Sequence, residues 1–141
     1  VHSDGIALDV KAGYLYYQAL TGRTLYRIKT EFLLDSTISE KTLEEKVENL
    51  GKTPMTDGLW LDRNQYIYFS ALEENAIIRY KPGESQHILI KSNEIIWPDS
   101  FAFDSQGYLY FTTSQIHLAK QFNKGIDKRS AKYKVFKIKI E

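Results

Sequence analysis

The sequence predicts an all-β chain of three consecutive antiparallel blades, and three features of its 141 residues carry that prediction. First, one pattern occurs three times: a small residue, Asp, a small residue, an apolar run ending in a second Asp, a short polar turn and an aromatic-rich run. The copies are Ser3-Asp4-Gly5-Ile6-Ala7-Leu8-Asp9 with Tyr14-Leu15-Tyr16-Tyr17, Thr56-Asp57-Gly58-Leu59-Trp60-Leu61-Asp62 with Tyr66-Ile67-Tyr68-Phe69, and Pro98-Asp99-Ser100-Phe101-Ala102-Phe103-Asp104 with Tyr108-Leu109-Tyr110-Phe111. The leading Asp falls at 4, 57 and 99, spacings of 53 and 42 residues, the range of propeller blades or long solenoid repeats. Second, the ten Tyr and seven Phe sit mostly inside short runs of strand character, where aromatic side chains are favoured. Third, a further strand recurs with a basic residue between apolar ones: Thr24 to Lys29, Ala76 to Lys81 and Lys134 to Lys139.

In the first repeat, residues 5–9 read as a short buried strand, Lys11-Ala12-Gly13 as a hairpin turn and 14–17 as its return, with a turn at Thr21-Gly22 before the third strand. One convincing helix follows. Ser39 can cap it, Leu43, Val47 and Leu50 mark an apolar face, and Glu40, Glu44 and Glu45 enrich its first turns. The preferred form is a shorter helix, with residues 47–50 forming a fourth, outer strand, because the second repeat has a fourth strand at 87–91. That repeat turns at Arg63-Asn64-Gln65, Glu73-Glu74-Asn75 and Pro82-Gly83. The third repeat departs from the others. About twenty polar and basic residues separate Thr113 from Tyr133, a length usually functional or disordered, and no fourth strand follows Ile140. The blades are thus expected at about 3–50, 56–91 and 98–140, the last lacking its outer strand.

Closed propellers commonly complete their last blade with a strand from the opposite terminus. On that ground residues 1–141 are expected to be part of a longer chain. The exposed blade faces and the edge at Val135 to Ile140 are expected to meet either a missing amino-terminal half or a second copy.

The absence of Cys excludes disulfides, thiolate catalysis and Cys-ligated zinc. The three His have no zinc spacing, and no Ser lies in a nucleophile elbow. No apolar run approaches the roughly 18 residues of a membrane helix, and no signal peptide is visible, so no membrane partner is expected. The net charge of +1 is unevenly spread: from His117 onward eight Lys or Arg face only Asp127 and Glu141. Such an end can attract an anion or nucleic acid. The preferred reading is an edge strand guarded by lysines, with no nucleic-acid partner.

The leading aspartates are the sharpest site residues. A propeller blade lines the central channel with its first strand, so Asp4, Asp57 and Asp99 would converge on one mouth and could bind a hard cation or act as a base. The plainer alternative is that each is a turn residue accepting a backbone hydrogen bond. Asp9, Asp62 and Asp104 precede hairpin turns and are read as structural. His2 and His117 fall near the mouth and His87 on an outer strand; Trp97 is a pocket-lining residue, while Trp60 and Phe101 are assigned to the core between blades.

Together the stretches Ser3 to Leu8, Thr24 to Ile28, Ser70 to Ile77 and above all Trp97-Pro98-Asp99, Ser114-Gln115-Ile116-His117 and Phe122-Asn123-Lys124-Gly125 resemble the carboxyl-terminal half of the Yellow and major royal jelly protein family. The resemblance is nearest to its bacterial members and covers the whole chain. It implies half of a six-bladed β-propeller, distantly similar to gluconolactonases, in a secreted or periplasmic protein. It implies binding of a small organic molecule, in some members an amine or catechol-like compound, and in others dopachrome conversion. The lactonase relatives hold a divalent cation with an Asn and an Asp at two blade starts; Asp4 stands where that Asn would be and Asp57 matches the Asp, a pair that still suits calcium. Two function classes follow, a binding protein for a small organic ligand at the channel mouth and a calcium-dependent lactonase or related hydrolase, with a structural or interaction module as a third.

Overall fold

The computed structural model describes residues 3–130 and 132–140; His2 lies outside them. Three antiparallel sheets follow one another along the chain. The first is β1 (Ser3–Asp9), β2 (Tyr14–Ala19), β3 (Thr24–Lys29) and β4 (Glu48–Lys52), and the second β5 (Thr56–Leu61), β6 (Ile67–Ala71), β7 (Ala76–Tyr80) and β8 (His87–Lys91). The third has three strands, β9 (Pro98–Phe103), β10 (Tyr108–Thr113) and β11 (Lys134–Lys139), with β10 in the middle. In each sheet the strands pair in chain order as a meander, and β1, β5 and β9 lie side by side as the inner strands of adjacent blades. The chain is therefore an arc of three β-propeller blades, as the repeat predicts.

The turn after each inner strand is built by its second Asp. Asp62 Oδ1 accepts the N–H of Asn64 at 2.8 Å and of Tyr66 at 2.9 Å, and the Tyr68 hydroxyl donates to Oδ2 at 2.8 Å. Asp104 repeats this with Gln106, Tyr108 and Tyr110 at 2.8, 2.9 and 3.0 Å, and these bonds hold its carboxyl below the ordinary carboxylate value. The first turn is one residue longer. Asp9 there caps Ala12 N–H at 2.8 Å, and Gln65 of the next blade donates to its other oxygen at 3.3 Å. The basic residue of each third strand also has a common cause. Arg27, Arg79 and Lys137 lie over the rings of Tyr14, Tyr66 and Tyr108, at 4.1, 4.6 and 5.0 Å from their centroids, a cation–π contact that covers the ring.

Two cores separate three blades. Ala7, Tyr16 and Leu25 pack against Leu59, Phe69 and Ile78 between the first and second, while Tyr68 and Ile77 pack against Leu109 and Phe111 between the second and third. The middle blade is covered on both faces, so every residue of β6 is buried. The first blade has a neighbour on one face only. The buried strand expected at 5–9 is therefore buried at alternate residues, and Ile6 and Leu8 remain more than half exposed. Trp60, assigned to the core, is 38% exposed and stacks on Phe103 with centroids 6.3 Å apart. The helix capped by Ser39 is α2 (Glu40–Glu45), with Thr42 N–H donating to the Ser39 hydroxyl at 3.2 Å, and β4 follows it as the preferred reading expects. A second short helix, α1 (Thr30–Leu34), was not expected: its five residues have no side-chain cap and too little length for a periodic signal.

The segment connecting blades one and two is held by a buried amide. Gln18 Nε2 donates to the carbonyls of Pro54 at 2.7 Å and Gly22 at 3.1 Å, and its Oε1 accepts the Thr53 hydroxyl at 2.6 Å. Gln18→Leu leaves these polar groups buried and unpaired and is expected to cost about 2 kcal/mol or more, read from the urea unfolding midpoint; an unchanged midpoint would contradict this role.

Candidate ligand site at the channel mouth

Each inner strand begins with an irregularity at its leading Asp. Pairing shifts register between Ser3 and Gly5 on β1, between Thr56 and Leu59 on β5, and at the matching place between β9 and β10. A bulge re-aims a side chain that regular pleating would commit to one face, and the three aspartates at these irregularities face one cleft. Asp4, Asp57 and Asp99 line one cleft of about 330 Å³ with Gly5, Gly58, Leu59 and Phe101. The glycines let the inner strands approach. A Cβ on Gly5 would stand 3.1 Å from both the Asp57 carbonyl oxygen and Leu59 Cβ, and one on Gly58 would overlap the carbonyl of Asp99.

Asp57 is the centre of the group. Its backbone is fixed by Ser70, a buried residue whose hydroxyl accepts the N–H of Asp57 at 3.1 Å and of Gly58 at 2.7 Å. Its Oδ2 accepts the indole N–H of Trp97 at 2.6 Å. The Trp97 ring stacks on the imidazole of His117, centroids 5.2 Å apart and planes 21° from parallel. Burial pushes the Asp57 carboxyl above the ordinary carboxylate range; the Trp97 bond opposes this, and the charges of Asp99 and Asp4 push the same way. Partial burial of the His117 ring lowers its pKa, although its outer edge is exposed.

All five predicted site residues in the described chain thus belong to one assembly: Asp4, Asp57 and Asp99 on the inner strands, Trp97 just before β9, and His117 on the 3-10 turn Ile116–Leu118 after β10. The proposed metal pair, Asp4 and Asp57, shares the cleft, but among the described residues no group of three or more His, Asp or Glu is gathered to hold an ion. His87 lies on β8, an outer strand, as expected. Sequence reading missed Ser70 and gave no separate role to Gln115. The signal for Ser70 was present, since Ser70 and Thr112 follow the aromatic of the second strand in two repeats and Thr112 likewise accepts the N–H of Ser100, at 3.3 Å.

These features define a β-propeller arc in which three inner-strand aspartates share one cleft and Asp57 is bonded to a stacked Trp97–His117 pair. The chain belongs to the major royal jelly protein family, whose model matches residues 3–141. Among solved structures it is similar to a gluconolactonase of Xanthomonas campestris at 21% identity and TM-score 0.66, over 96% of this chain and 43% of that one. It is similar also to virginiamycin B lyase of Staphylococcus aureus, at 12% identity and TM-score 0.56 over 99% and 41% of the two chains. A chain of a nidogen–laminin complex gives 16%, 0.60, 79% and 39%. No curated protein matches. The chain spans less than half the length of these structures, and at such identities the likeness establishes the fold, not the chemistry.

Asp57→Asn keeps an acceptor for Trp97 and removes the charge. A carboxyl whose folded pKa is raised contributes stability below its unfolded value and loses it as pH rises through the folded value. The variant is therefore expected to melt higher than wild type at pH 7, with the difference vanishing below about pH 4, the ordinary carboxylate value. Identical melting profiles from pH 3 to 7 would contradict the placement of Asp57.

Proposed function

We propose that the mouth binds a small organic cation carrying a flat ring. The observation that carries this reading is the juxtaposition of three carboxylates with the stacked Trp97 and His117 rings. The carboxylates favour positive charge within a few ångströms, and an aromatic face favours a stacked ring or a cation above it. Asp57 is oriented by Ser70 and Trp97 before any ligand arrives, which reduces the ordering cost of binding. This agrees with the amine-binding expectation carried by the family resemblance.

A second reading, a calcium-dependent lactonase, is favoured by the mutual repulsion of Asp4, Asp57 and Asp99, which a hard oxygen-seeking cation would relieve, and by likeness to a gluconolactonase fold. With at most two carboxylates from this arc, such an ion would need further oxygen ligands from carbonyls, water or other segments.

Calorimetric titration with an aromatic monoamine and with its neutral N-acetyl analogue separates the readings. The amine is expected to bind at least about tenfold more tightly than the analogue, a difference of about 1.4 kcal/mol, and Asp57→Asn to remove the preference. Equal binding of the two would overturn the cation reading. A melting temperature raised by millimolar calcium and restored by chelator, with no response to amine, would replace it with the metal reading.

A further inference from the structure

The excursion between β10 and β11 carries His117 to the mouth, yet it has almost no core of its own. Of its described residues from 114 to 133, only Gln115 and Ala119 are buried. It includes two 3-10 turns, Ile116–Leu118 and Lys120–Phe122, and Phe122 and Ile126 are each 63% exposed. Apolar burial does not hold this segment in place, so its hydrogen bonds must.

The side chain of Gln115, which is 3% exposed, makes three of them. Its Oε1 accepts the N–H of Ser130 at 2.8 Å, and its Nε2 donates to the Ser130 hydroxyl and the Lys132 carbonyl, both at 3.1 Å. One buried amide thus ties the far end of the excursion to its beginning. On its backbone side, Gln115 N–H donates to the Ile96 carbonyl at 3.4 Å, and Ser114 N–H to the Trp97 carbonyl at 3.0 Å. Gln115 and Trp97 both adopt left-handed backbone, with φ of 52° and 55°. That conformation is costly for side-chain-bearing residues, and for Trp97 the following Pro98 disfavours helical geometry as well. Within the excursion, Lys128 N–H donates to the Leu118 carbonyl at 2.9 Å, and Asn123 Nδ2 to the His117 carbonyl at 2.8 Å. The segment is therefore a loop closed by the Thr113–Lys134 strand pairing, by Lys128 on Leu118 and by the Gln115 amide, with His117 two residues beyond Gln115.

We propose that Gln115 is the positioning residue of the site: by tying Ser130 and Lys132 to the start of the excursion it holds His117 stacked on Trp97, and so sets the aromatic wall against which a ligand at Asp57 would lie. The side-chain hydrogen bonds of Gln115 go to Ser130 and Lys132 rather than to the mouth residues. It acts through His117 and the strained turn at Trp97. As a determinant of ligand affinity it rests on the cation reading above; as a determinant of the Trp97–His117 stack it does not.

Indole fluorescence tests the stack without any ligand, because a protonated imidazole against an indole quenches it while a neutral one does so less. In a Trp60→Phe background only Trp97 emits. Its emission is expected to change with pH as His117 titrates, and His117→Gln, which leaves Asp57 in place, is expected to abolish that change. Gln115→Ala is expected to shift the stacked-to-open ratio about fivefold toward open, the population equivalent of one net hydrogen bond, with a matching loss of the pH-dependent signal. Ser130→Pro, which removes the N–H bonded to Oε1 and leaves Gln115 intact, is expected to act in the same direction and serves if Gln115→Ala does not fold. A lowered melting temperature with an undiminished Trp97 signal in either folded variant would make Gln115 merely structural and overturn the proposal. Loss of the signal with no amine binding in wild type would retain the positioning role of Gln115 and discard the ligand reading.

Discussion

The close approach of the inner strands is the constraint from which the site follows. Three blades can share one channel only if β1, β5 and β9 converge, and at the mouth they come so near that Gly58 has no space for a Cβ beside the Asp99 carbonyl, while Gly5 has barely enough beside Asp57. The same convergence brings three carboxylates into one cleft. Like charges so placed destabilise one another; the Trp97 N–H, donated to the Asp57 carboxylate, offsets part of this, while the Ser70 hydroxyl accepts the Asp57 N–H and fixes its backbone. The acidic mouth is thus a cost imposed on the fold and held in place by specific hydrogen bonds, a pattern often found at functional sites.

The blades divide labour between their two ends. At the hairpin end, Asp62 and Asp104 spend their carboxylate oxygens on backbone N–H groups and tyrosine hydroxyls. At the mouth end, the leading aspartates have few such partners: Asp57 accepts Trp97, Asp99 accepts the hydroxyl of its neighbour Ser100 at 3.2 Å, and the cleft lies open between them. Residues of one type in one repeat thus serve opposite ends, one set satisfied internally and the other left facing the cleft.

Much of this was legible because a repeat states its own geometry several times over. Three copies of an Asp before a Tyr-rich strand identified the hairpin turns, and the recurring basic residue identified the third strands, although its stacking on Tyr14, Tyr66 and Tyr108 emerged only when the strands were paired. The leading aspartates were legible for the same reason. What escaped was non-repeating or depended on neighbours. Helix α1 is too short to show a period. The one-sided burial of β1 depends on its having a blade on one face only. The anchoring of the 114–133 excursion depends on Gln115 meeting Ser130, fifteen residues on, which no local pattern encodes.

Blade geometry forces Asp57 to share its field with Asp4 and Asp99. Carboxyl carbon chemical shifts followed through a pH titration measure that directly. The account predicts that Asp57 titrates above the ordinary carboxylate value of about 3.9, and that Asp4→Asn and Asp99→Asn each lower its pKa. An Asp57 that titrates at or below the ordinary value and ignores both substitutions would show that the three carboxylates do not share one mouth, and the site described here would not exist.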